Sequence, residues 1–588
     1  MKKKKEIKEV NQKEQKQERR KIVLFLLAIL ITIIPMFYFI GHKEGWHEDE
    51  IFSYGSSNYK YDNLFQRFGI KDSLNQTIDE KIMKGNVFEN VLYYLTHSDE
   101  FSAEYEKNIQ KETPVWKTSQ DAKDYMTVST DEVFNYWSVY YNQSRDVHPP
   151  LFYILVHTFS ALCLGHFSKY IIFAISLLFY IASCFIIRKI LKLFKKENLV
   201  PITILLYGLS MGAISTVIFQ RMYMMLTFFA ISYLYISLKI LKGNGAIEKK
   251  TKKQLFWITV LGFWTQYYFC IYIIAIVAIV LIYLWKNKKY QELKQYIFTH
   301  IKAAILGIAL FPASIYHIFF SYRGIGAVGE QLSFFTRIDE FMKLIFYSFS
   351  IPNKIGYTLT GILLILFIIK LCTAKRKDIV LAMTLPTILF ILAITKIAPF
   401  INLRYVMCVL PMIVISIVFF IHTTIKKIYQ FCENKKLVLK ESKNYQFFKN
   451  NAGIIFGTIL TITISIYGFK ESRPMYLYEG YSEKINIAEE NKHTKFIYVG
   501  EVVFNHLQDM EEFLRYDNYL ILSTQEINVL KNNLGLENET EYILELKKWL
   551  PERESLLQEI LDNTNGKVSE VLQEDDRSTI YQIKIEQK

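Results

Sequence analysis

The sequence predicts a polytopic α-helical membrane protein with a large first external loop and a small C-terminal α/β domain. The chain has 588 residues, of which 51% are hydrophobic, and long apolar runs recur between residues 22 and 468. Runs of about 20 apolar residues are long enough to cross the hydrocarbon core of a bilayer. Charged residues make up 21% of the chain and concentrate between these runs and in the polar region after the last one.

The charge distribution argues against a nucleic-acid partner. The formal net charge is +14, but Lys and Arg lie mainly in short loops between apolar runs. Cytoplasmic loops of membrane proteins collect positive residues, so membrane topology accounts for this excess. Five of the six cysteines lie in apolar segments and Cys432 lies in a basic loop. Their spacing predicts neither a disulfide framework nor a metal site.

The N-terminal part of the chain predicts a tail, an anchor and a long external loop. Residues 1–21 form a basic tail that we place in the cytoplasm. The apolar run at 22–40 is followed by no small-residue cleavage site, so we interpret it as a retained anchor and not as a signal peptide. Within the external loop at 41–167, Asp79 to Thr96 and Asp131 to Tyr141 have the apolar spacing of helices on a membrane surface.

The topology depends on Pro149 to Gly165, which is apolar but short. If this segment crossed the membrane, five basic loops would all be external, namely Arg188 to Lys196, Lys239 to Lys253, Lys286 to Lys294, Lys375 to Lys377 and Lys426 to Lys449. We therefore predict that it does not cross and that the C-terminus is external. About eleven spans remain in a membrane domain of residues 22–468: 22–40, 168–188, 200–219, 222–241, 255–268, 269–285, 297–316, 356–372, 379–396, 405–422 and 452–468.

Two external regions follow from this topology. The loop from Phe319 to Asn353 is polar and contains Gly324, Gly326 and Gly329, a composition that fits a mobile lid or an ordinary connection. Residues 469–588 predict an external α/β domain without a phosphate-binding loop. Its predicted strands are Lys495 to Val499, Tyr519 to Ser523 and an edge strand at Thr579 to Ile585, and its predicted helices are Asn505 to Tyr516, Gln525 to Asn533 and Leu550 to Leu561.

The acidic stretch just after the first span is the strongest candidate for chemistry. Glu48, Asp49 and Glu50 follow one another within Trp46 to Asn58. Carboxylates at a membrane face can accept a proton from a substrate, although a solvated acidic cluster at a helix end has the same sequence. About a hundred residues later the chain reads Asp146-Val147-His148-Pro149-Pro150-Leu151-Phe152-Tyr153.

Two arginine motifs complete the set. They are Gln220-Arg221-Met222-Tyr223 and Leu403-Arg404-Tyr405, and the predicted topology puts both at the outer face with Asp49, His148 and Tyr267. Together the four motifs resemble the GT-C superfamily of membrane glycosyltransferases, in the branch of protein O-mannosyltransferases and aminoarabinose transferases. The resemblance covers roughly residues 22 to 420. Where the mannosyltransferases carry an acid after the Arg-Tyr element, this chain reads Met224-Met225-Leu226-Thr227.

The resemblance implies a role for each carboxylate. Asp49 would be the general base that deprotonates an acceptor hydroxyl, and Glu50 would be the second acid of the pair. His148 would contact the donor phosphate or the catalytic carboxylate, oriented by Asp146, or would only cap a helix. Asp49, Glu50 and His148 could together hold a divalent metal, but no ligand spacing requires one, and no cofactor is certain.

The arginines and tyrosines would contact the donor. A guanidinium binds phosphate oxygens in a bidentate manner, so Arg404 and Arg221 are candidates for the donor phosphate. Both could instead be interfacial anchors, and Arg221 could orient the acidic pair. Tyr223, Tyr267 and Tyr405 are supporting candidates along the sugar or prenyl path, and an aromatic belt at the membrane interface is the alternative for such residues.

We therefore expect a multi-pass enzyme of a bacterial plasma membrane. By the resemblance, it transfers a sugar from a polyprenyl-phosphate donor to an extracellular glycan, lipid or protein, with membrane lipid as its surroundings. One alternative is a transporter or flippase of a lipid-linked or anionic solute, for which two related halves and polar sites at mid-depth are expected and not found in the sequence. A non-catalytic GT-C-like binding protein is the other.

Overall fold

The computed structural model describes residues 2–61, 114–319, 333–434, 443–500, 505–532 and 535–586. The chain forms two compact units. The helical unit comprises Met1–Gly41, Phe173–Phe311 and Ile315–Met475, and the mixed unit comprises His42–Ile172, Pro312–Ser314 and Tyr476–Lys588. The mixed unit thus joins the first external loop to the C-terminal segment. The predicted division at residues 21 and 468 stays a prediction.

Helices account for most of the described chain. In chain order they are α1 (Lys2–Gly41), α2 (Glu48–Asn58), α3 (Ser119–Met126), α4 (Tyr136–Ser144), α5 (Leu151–Leu162), α6 (Lys169–Leu193), α7 (Val200–Gly208), α8 (Met211–Ile218), α9 (Tyr223–Lys242), α10 (Lys249–Thr265), α11 (Tyr268–Lys286), α12 (Tyr290–Leu310), α13 (Ala313–Phe319), α14 (Phe334–Ser348), α15 (Asn353–Thr373), α16 (Lys377–Ile397), α17 (Leu410–Asn434), α18 (Lys443–Glu471), α19 (Ser482–Glu490), α20 (Met510–Phe513) and α21 (Arg553–Thr564).

The helices confirm the polytopic class. Within the described residues, eight helices are long and apolar enough to cross a membrane, and α7 and α8 would form a ninth span with a 68° bend. They are α1, α6, α9, α11, α15, α16, α17 and α18. Helices α10 and α12 lie at the two other predicted positions, 255–268 and 297–316, but are not among these eight, since α10 has only 17 residues and α12, with 21 residues, is less apolar. Four of the first five residues of α10 are lysines, so the apolar part of this helix is shorter than the helix itself.

Helix α5 is too short to cross a membrane alone. It has 12 residues. At 1.5 Å per residue it is about 18 Å long, against about 30 Å for the hydrocarbon core. Its length therefore agrees with the prediction that Pro149 to Gly165 does not cross.

The mixed unit is built on a six-stranded sheet of order β1-β3-β2-β4-β6-β5. The strands are β1 (Lys117–Thr118), β2 (Lys495–Val499), β3 (Asn518–Leu522), β4 (Glu541–Lys547), β5 (Gly566–Glu574) and β6 (Ser578–Ile585). Strand β2 pairs in parallel with β3 and β4, and the other neighbours pair antiparallel. The α/β class of this part of the chain is confirmed.

Several local predictions for this unit were wrong. Strand β6 was predicted at an edge but lies between β4 and β5. The helix predicted at Gln525 to Asn533 is a 3₁₀ turn at Ile527–Asn532. The helix predicted at Asn505 to Tyr516 is a 3₁₀ turn at Asn505–Asp509 followed by the single turn α20.

The two predicted surface elements of the external loops have different outcomes. The helix predicted at Asp131 to Tyr141 begins later, at Tyr136, because the Asn135 side chain accepts the backbone N–H of Ser138 and caps it there. The segment Asp79 to Thr96 lies outside the described residues.

The glycines of the predicted lid, 324, 326 and 329, lie outside the described residues as well. The rest of that loop contains helix α14.

Candidate active site

The acidic stretch forms helix α2, which begins at Glu48. His47 caps this helix, since its Nδ1 accepts the backbone N–H of Asp49 at 3.0 Å. Glu50 reciprocates by accepting the backbone N–H of His47 at 2.8 Å, which makes a capping box. The first turn therefore holds three carboxylates at the positive end of a helix dipole.

Glu50 is buried and ion-paired. Its side chain is 0% exposed, and its Oε2 accepts a hydrogen bond from Lys43 Nζ at 2.9 Å. The Lys43 ammonium also donates to the backbone carbonyl of Tyr476 and lies 5.0 Å from the ring centroid of Tyr478. Burial lowers the pKa of Lys43, and Glu50 partly offsets that effect. Glu50 is therefore committed to holding the local structure together.

Asp49 has a different environment from its neighbour. Its side chain is 23% exposed, and its Oδ2 lies 3.6 Å from His47 Nδ1. The carboxylate thus stands at the helix start, partly open to solvent, with an imidazole nearby. Of the two adjacent acids, Asp49 is therefore the more exposed.

The segment that follows residue 475 packs against the start of α2. The backbone N–H of Glu44 donates to the Leu477 carbonyl at 2.9 Å, and the Glu44 carboxylate accepts the N–H of Gly480 at 2.6 Å. Trp46 donates from Nε1 to Glu511 at 2.6 Å. Burial and then the charge of Glu50 raise the pKa of Tyr478. The mixed unit therefore buries the acidic helix against its own C-terminal segment.

Helices α3, α4 and α5 hold the other end of α2. Asn58 donates to the Met126 carbonyl at 2.8 Å, and Asn142 donates to the Tyr59 carbonyl at 2.7 Å. Gly55 has no room for a side chain, because an added Cβ would lie 1.9 Å from the Tyr125 ring. The position of Asp49 thus depends on a rigid scaffold.

Asp146 and His148 form a second pair in the mixed unit. Asp146 Oδ2 lies 2.6 Å from His148 Nδ1, and both side chains are nearly buried. A carboxylate on Nδ1 fixes the orientation and the tautomer of the ring. The structure thus brings together the predicted histidine and the residue predicted to orient it.

The helical unit contains the predicted arginines and tyrosines. Arg404 lies in a 3₁₀ turn at Leu403–Tyr405, before α17. Its guanidinium donates to the Tyr405 hydroxyl at 3.2 Å and lies 5.1 Å from the centroid of that ring. The Tyr405 ring also contacts Tyr268, with centroids 5.8 Å apart. Arg404 keeps partial exposure.

Arg221 and Tyr223 lie at the turn between α8 and α9. Arg221 is 2% exposed and Tyr223 is 4% exposed. The Tyr223 ring stacks on Phe219 with centroids 5.8 Å apart. Tyr267 makes a separate contact, with its hydroxyl 2.9 Å from His317 Nδ1. The burial of Arg221 suits a positioning role better than direct contact with solvent-borne substrate.

A buried charge cluster occurs in the mixed unit where the sequence indicated no chemistry. It consists of Lys484, Asp509, Glu512, Glu545 and Lys547, each at most 1% exposed. Lys547 lies 2.6 Å from Asp509 and 2.8 Å from Glu545, and Lys484 also binds Glu545. The three carboxylates lie close enough together to hold a metal ion. The two ammoniums already pair with Asp509 and Glu545, so these residues fit an ionic core better than a metal site.

Burial and neighbouring charges act differently on the carboxylates of this cluster. Burial raises the pKa of Glu512 well above its ordinary value, and the charge of Glu545 adds to the rise. Burial would also raise the pKa of Glu545, but Lys484 and Lys547 lower it overall. Burial thus favours the neutral form of Glu512, and the two lysines favour the ionised form of Glu545.

Sequence reasoning missed Lys43, His317 and the buried charge cluster. Lys43 lies seven residues before Glu50, outside the helical spacing that would have indicated a pair. The partners in the cluster are up to 61 residues apart in the chain. Only the charges within the otherwise apolar segment Glu541–Lys547 could have indicated a buried polar core.

The fold and composition define a polytopic α-helical membrane protein with a mixed-sheet unit. No protein-family model matches the sequence, and no curated protein sequence is significantly similar to it. The chain is similar in structure to two crystal structures of ArnT from Cupriavidus metallidurans, one bound to undecaprenyl phosphate and one in the apo state. The matches cover 74% of this chain and 87% of each ArnT chain, at 11% and 12% identity and TM-scores of 0.41.

Proposed function

We propose that this chain is a GT-C-type glycosyltransferase that moves one sugar from a polyprenyl-phosphate donor to an acceptor outside the cytoplasmic membrane. The observation that carries the proposal is the contrast between two adjacent carboxylates just beyond the first apolar span. Glu50 is buried against Lys43, whereas Asp49 is partly exposed at the start of a fixed helix. A transferase that inverts the anomeric centre needs one such base.

In the proposed reaction, Asp49 is the base and polyprenyl phosphate is the leaving group. Asp49 accepts the proton of an acceptor hydroxyl while the hydroxyl oxygen attacks the anomeric carbon. The new glycosidic bond forms as the bond from the anomeric carbon to the phosphate oxygen breaks, and polyprenyl phosphate leaves with the electron pair. A single displacement of this kind inverts the anomeric configuration.

Cationic residues would stabilise the leaving phosphate. Arg404 is the candidate for direct contact, since its guanidinium is charged, partly exposed and oriented by Tyr405. The Asp146–His148 pair supplies a second polar group for the phosphate or for Asp49. Arg221 is assigned to positioning because it is buried.

A second candidate function, transport, is favoured by one observation. Helices α7 and α8 form a broken pair with a 68° bend, and broken helices often build transporter sites. The residues at this break are Leu209 and Ser210, and Ser210 is used to cap α8 by accepting the N–H of Ala213. Because no charged residue lies between the two helices, the break offers little to an anionic solute.

One experiment separates the two functions. The purified full chain is reconstituted in liposomes with a short-chain prenyl-phosphate sugar labelled in the sugar and with candidate acceptors. A transferase releases prenyl phosphate and labels the acceptor in detergent as well as in liposomes. A transporter moves the intact donor across the liposome membrane and leaves the sugar–phosphate bond unbroken, which would overturn the proposal.

A further inference from the structure

Several basic side chains of the helical unit converge from three separate elements. Lys196 lies between α6 and the 3₁₀ turn at Glu197–Leu199, Lys370 lies in the last turn of α15, and His422, Lys426 and Lys427 lie in α17. These five residues are called the lysine cluster. Lys196 Nζ donates to His422 Nε2 at 2.6 Å, and Lys427 Nζ donates to the Thr373 hydroxyl at 3.0 Å. The contacts join α15, α17 and the segment after α6.

The electrostatics of this cluster are unfavourable without an anion. Burial, followed by the charges of Lys426 and Lys370, lowers the pKa of Lys196. The neighbouring carboxylate, Glu197, instead pairs with Lys21 at 2.8 Å and Lys192 at 3.3 Å. The charges that act on Lys196 are therefore of its own sign.

The usual preference of lysine for the cytoplasmic ends of spans does not explain this arrangement. A lysine at a helix end normally extends its ammonium into water, where like charges are screened. Lys196 and Lys370 are only partly exposed, and Lys196 is held against an imidazole. Half-buried ammoniums that converge between helix ends are the arrangement that binds anionic headgroups.

We infer that the lysine cluster is a binding site for a phosphate group, contributed by an anionic lipid headgroup or by a free phosphate compound. Lys196, Lys370 and Lys426 would neutralise the phosphate, and the ammonium of Lys427, which the Thr373 hydroxyl holds by accepting one of its hydrogen bonds, would supply a further donor. This inference does not rest on the proposed sugar transfer, since none of these residues belongs to the candidate active site.

The test uses the purified full chain in nanodiscs of phosphatidylcholine with added phosphatidylglycerol, and native mass spectrometry to count retained phosphatidylglycerol. We expect Lys196→Gln/Lys370→Gln to weaken retention about 25-fold, because each lysine near an anionic surface contributes roughly fivefold. The control, Lys375→Gln/Lys377→Gln, removes two exposed lysines from the neighbouring loop and should retain wild-type binding. Lys426→Gln, at an exposed position, provides a single variant with little risk to folding.

Inorganic phosphate distinguishes the two sources of the anion. If millimolar phosphate leaves phosphatidylglycerol bound, the site takes a lipid headgroup. If phosphate displaces the lipid from the wild type, and protects the wild type but not the double variant against thermal unfolding, the site takes a soluble phosphate compound. Equal lipid retention and equal phosphate response in the double variant and its control would overturn the inference.

Discussion

At the scale of single residues, the ion pair between Lys43 and Glu50 distinguishes Glu50 from the adjacent Asp49. It binds Glu50 inside the protein, so that carboxylate is removed from solvent together with its counter-ion. Asp49, one residue earlier, points to the partly open side of the same helix turn. Because successive helix positions are about 100° apart, a buried and an exposed role at neighbouring positions are compatible.

Removing Lys43 should cost more stability than an ordinary lysine substitution. Lys43→Met leaves the Glu50 carboxylate buried without its cation, and breaking one side of a buried ion pair typically costs about 3–5 kcal/mol. The free energy of unfolding of the full chain in detergent measures this loss. Lys43→Met/Glu50→Gln removes both charges and keeps a carbonyl for the helix cap, so it should recover most of the loss. If Lys43→Met is as stable as the exposed control Lys123→Met, the ion pair has no structural role.

Removing the Arg404 guanidinium should weaken donor binding more than acceptor binding. Charge-assisted contacts to phosphate are worth about 1.5–3 kcal/mol, so Arg404→Ala should raise the donor KM roughly ten- to a hundredfold, and Arg404→Lys should recover part of it. Tyr405→Phe keeps the ring beneath the guanidinium but removes the hydroxyl to which Arg404 donates, so it should raise the donor KM less than Arg404→Ala does. Arg221→Ala should instead lower turnover. An unchanged donor KM in Arg404→Ala would leave Arg404 as an interfacial anchor.

At the scale of elements, strand β4 shows where sequence patterns fail. It is an interior strand that carries Glu545 and Lys547, and both side chains are 0% exposed. Charged residues within a strand are typical of a surface segment, so no buried strand was predicted at this position from the sequence. The charges are buried because Asp509 and Lys484 approach from distant segments and neutralise them.

Eight of the eleven predicted spans, by contrast, are single helices long and apolar enough to cross a membrane, and these follow from the sequence alone. A run of about 20 apolar residues satisfies its backbone as a helix wherever it lies in a bilayer, so local sequence decides the result. Strand β1 has no such signal. It is two residues of the first external loop that pair with β3, some 400 residues away in the chain, and only the folded structure shows it.

The ionic core should give the mixed unit a pH-dependent stability. The pKa of Glu512 is raised in the folded state, so the folded state binds a proton more tightly than the unfolded state does. The free energy of unfolding should therefore fall as the pH rises above the ordinary glutamate value of about 4.3. Glu512→Gln, which is neutral at every pH, should reduce that fall between about pH 5 and 8.

The protection of the β4 amides against hydrogen exchange, measured in the full chain at several pH values, reports this pH-dependent stability within the mixed unit. Glu559→Gln, on the exposed face of α21, is the control. The same decline in protection in Glu512→Gln and in the control would show that Glu512 is not the proton-binding group.

At the scale of the whole molecule, the topology rests on the distribution of basic loops and on the shortness of α5. With α5 outside the count, we predict that the N-terminus is cytoplasmic and that residues 469–588 are external. The four site motifs were also predicted from sequence, including the Asp146–His148 contact. The difference in exposure between Asp49 and Glu50 was not predicted. It depends on the contacts of Lys43 with Glu50 and with the backbone of Tyr476, and no local sequence pattern connects these residues.

Cysteine labelling tests this topology. In a background whose native cysteines are replaced by serine, Ser569→Cys lies at an exposed position of β5 and should react with a membrane-impermeant reagent in intact cells. Lys375→Cys, in a basic loop, should react only after permeabilisation. The reverse pattern would show that the chain crosses the membrane a different number of times.

The most direct test of the central proposal is a single-turnover measurement with Asp49→Asn. Purified wild type or variant, in excess over short-chain prenyl-phosphate sugar, is mixed with this donor and saturating acceptor, and released prenyl phosphate is followed in time. Loss of a general base should slow release by about 10²- to 10⁴-fold, while thermal unfolding stays unchanged because Asp49 is partly exposed. Release at the wild-type rate by a correctly folded Asp49→Asn chain would contradict the assignment of Asp49 as the base.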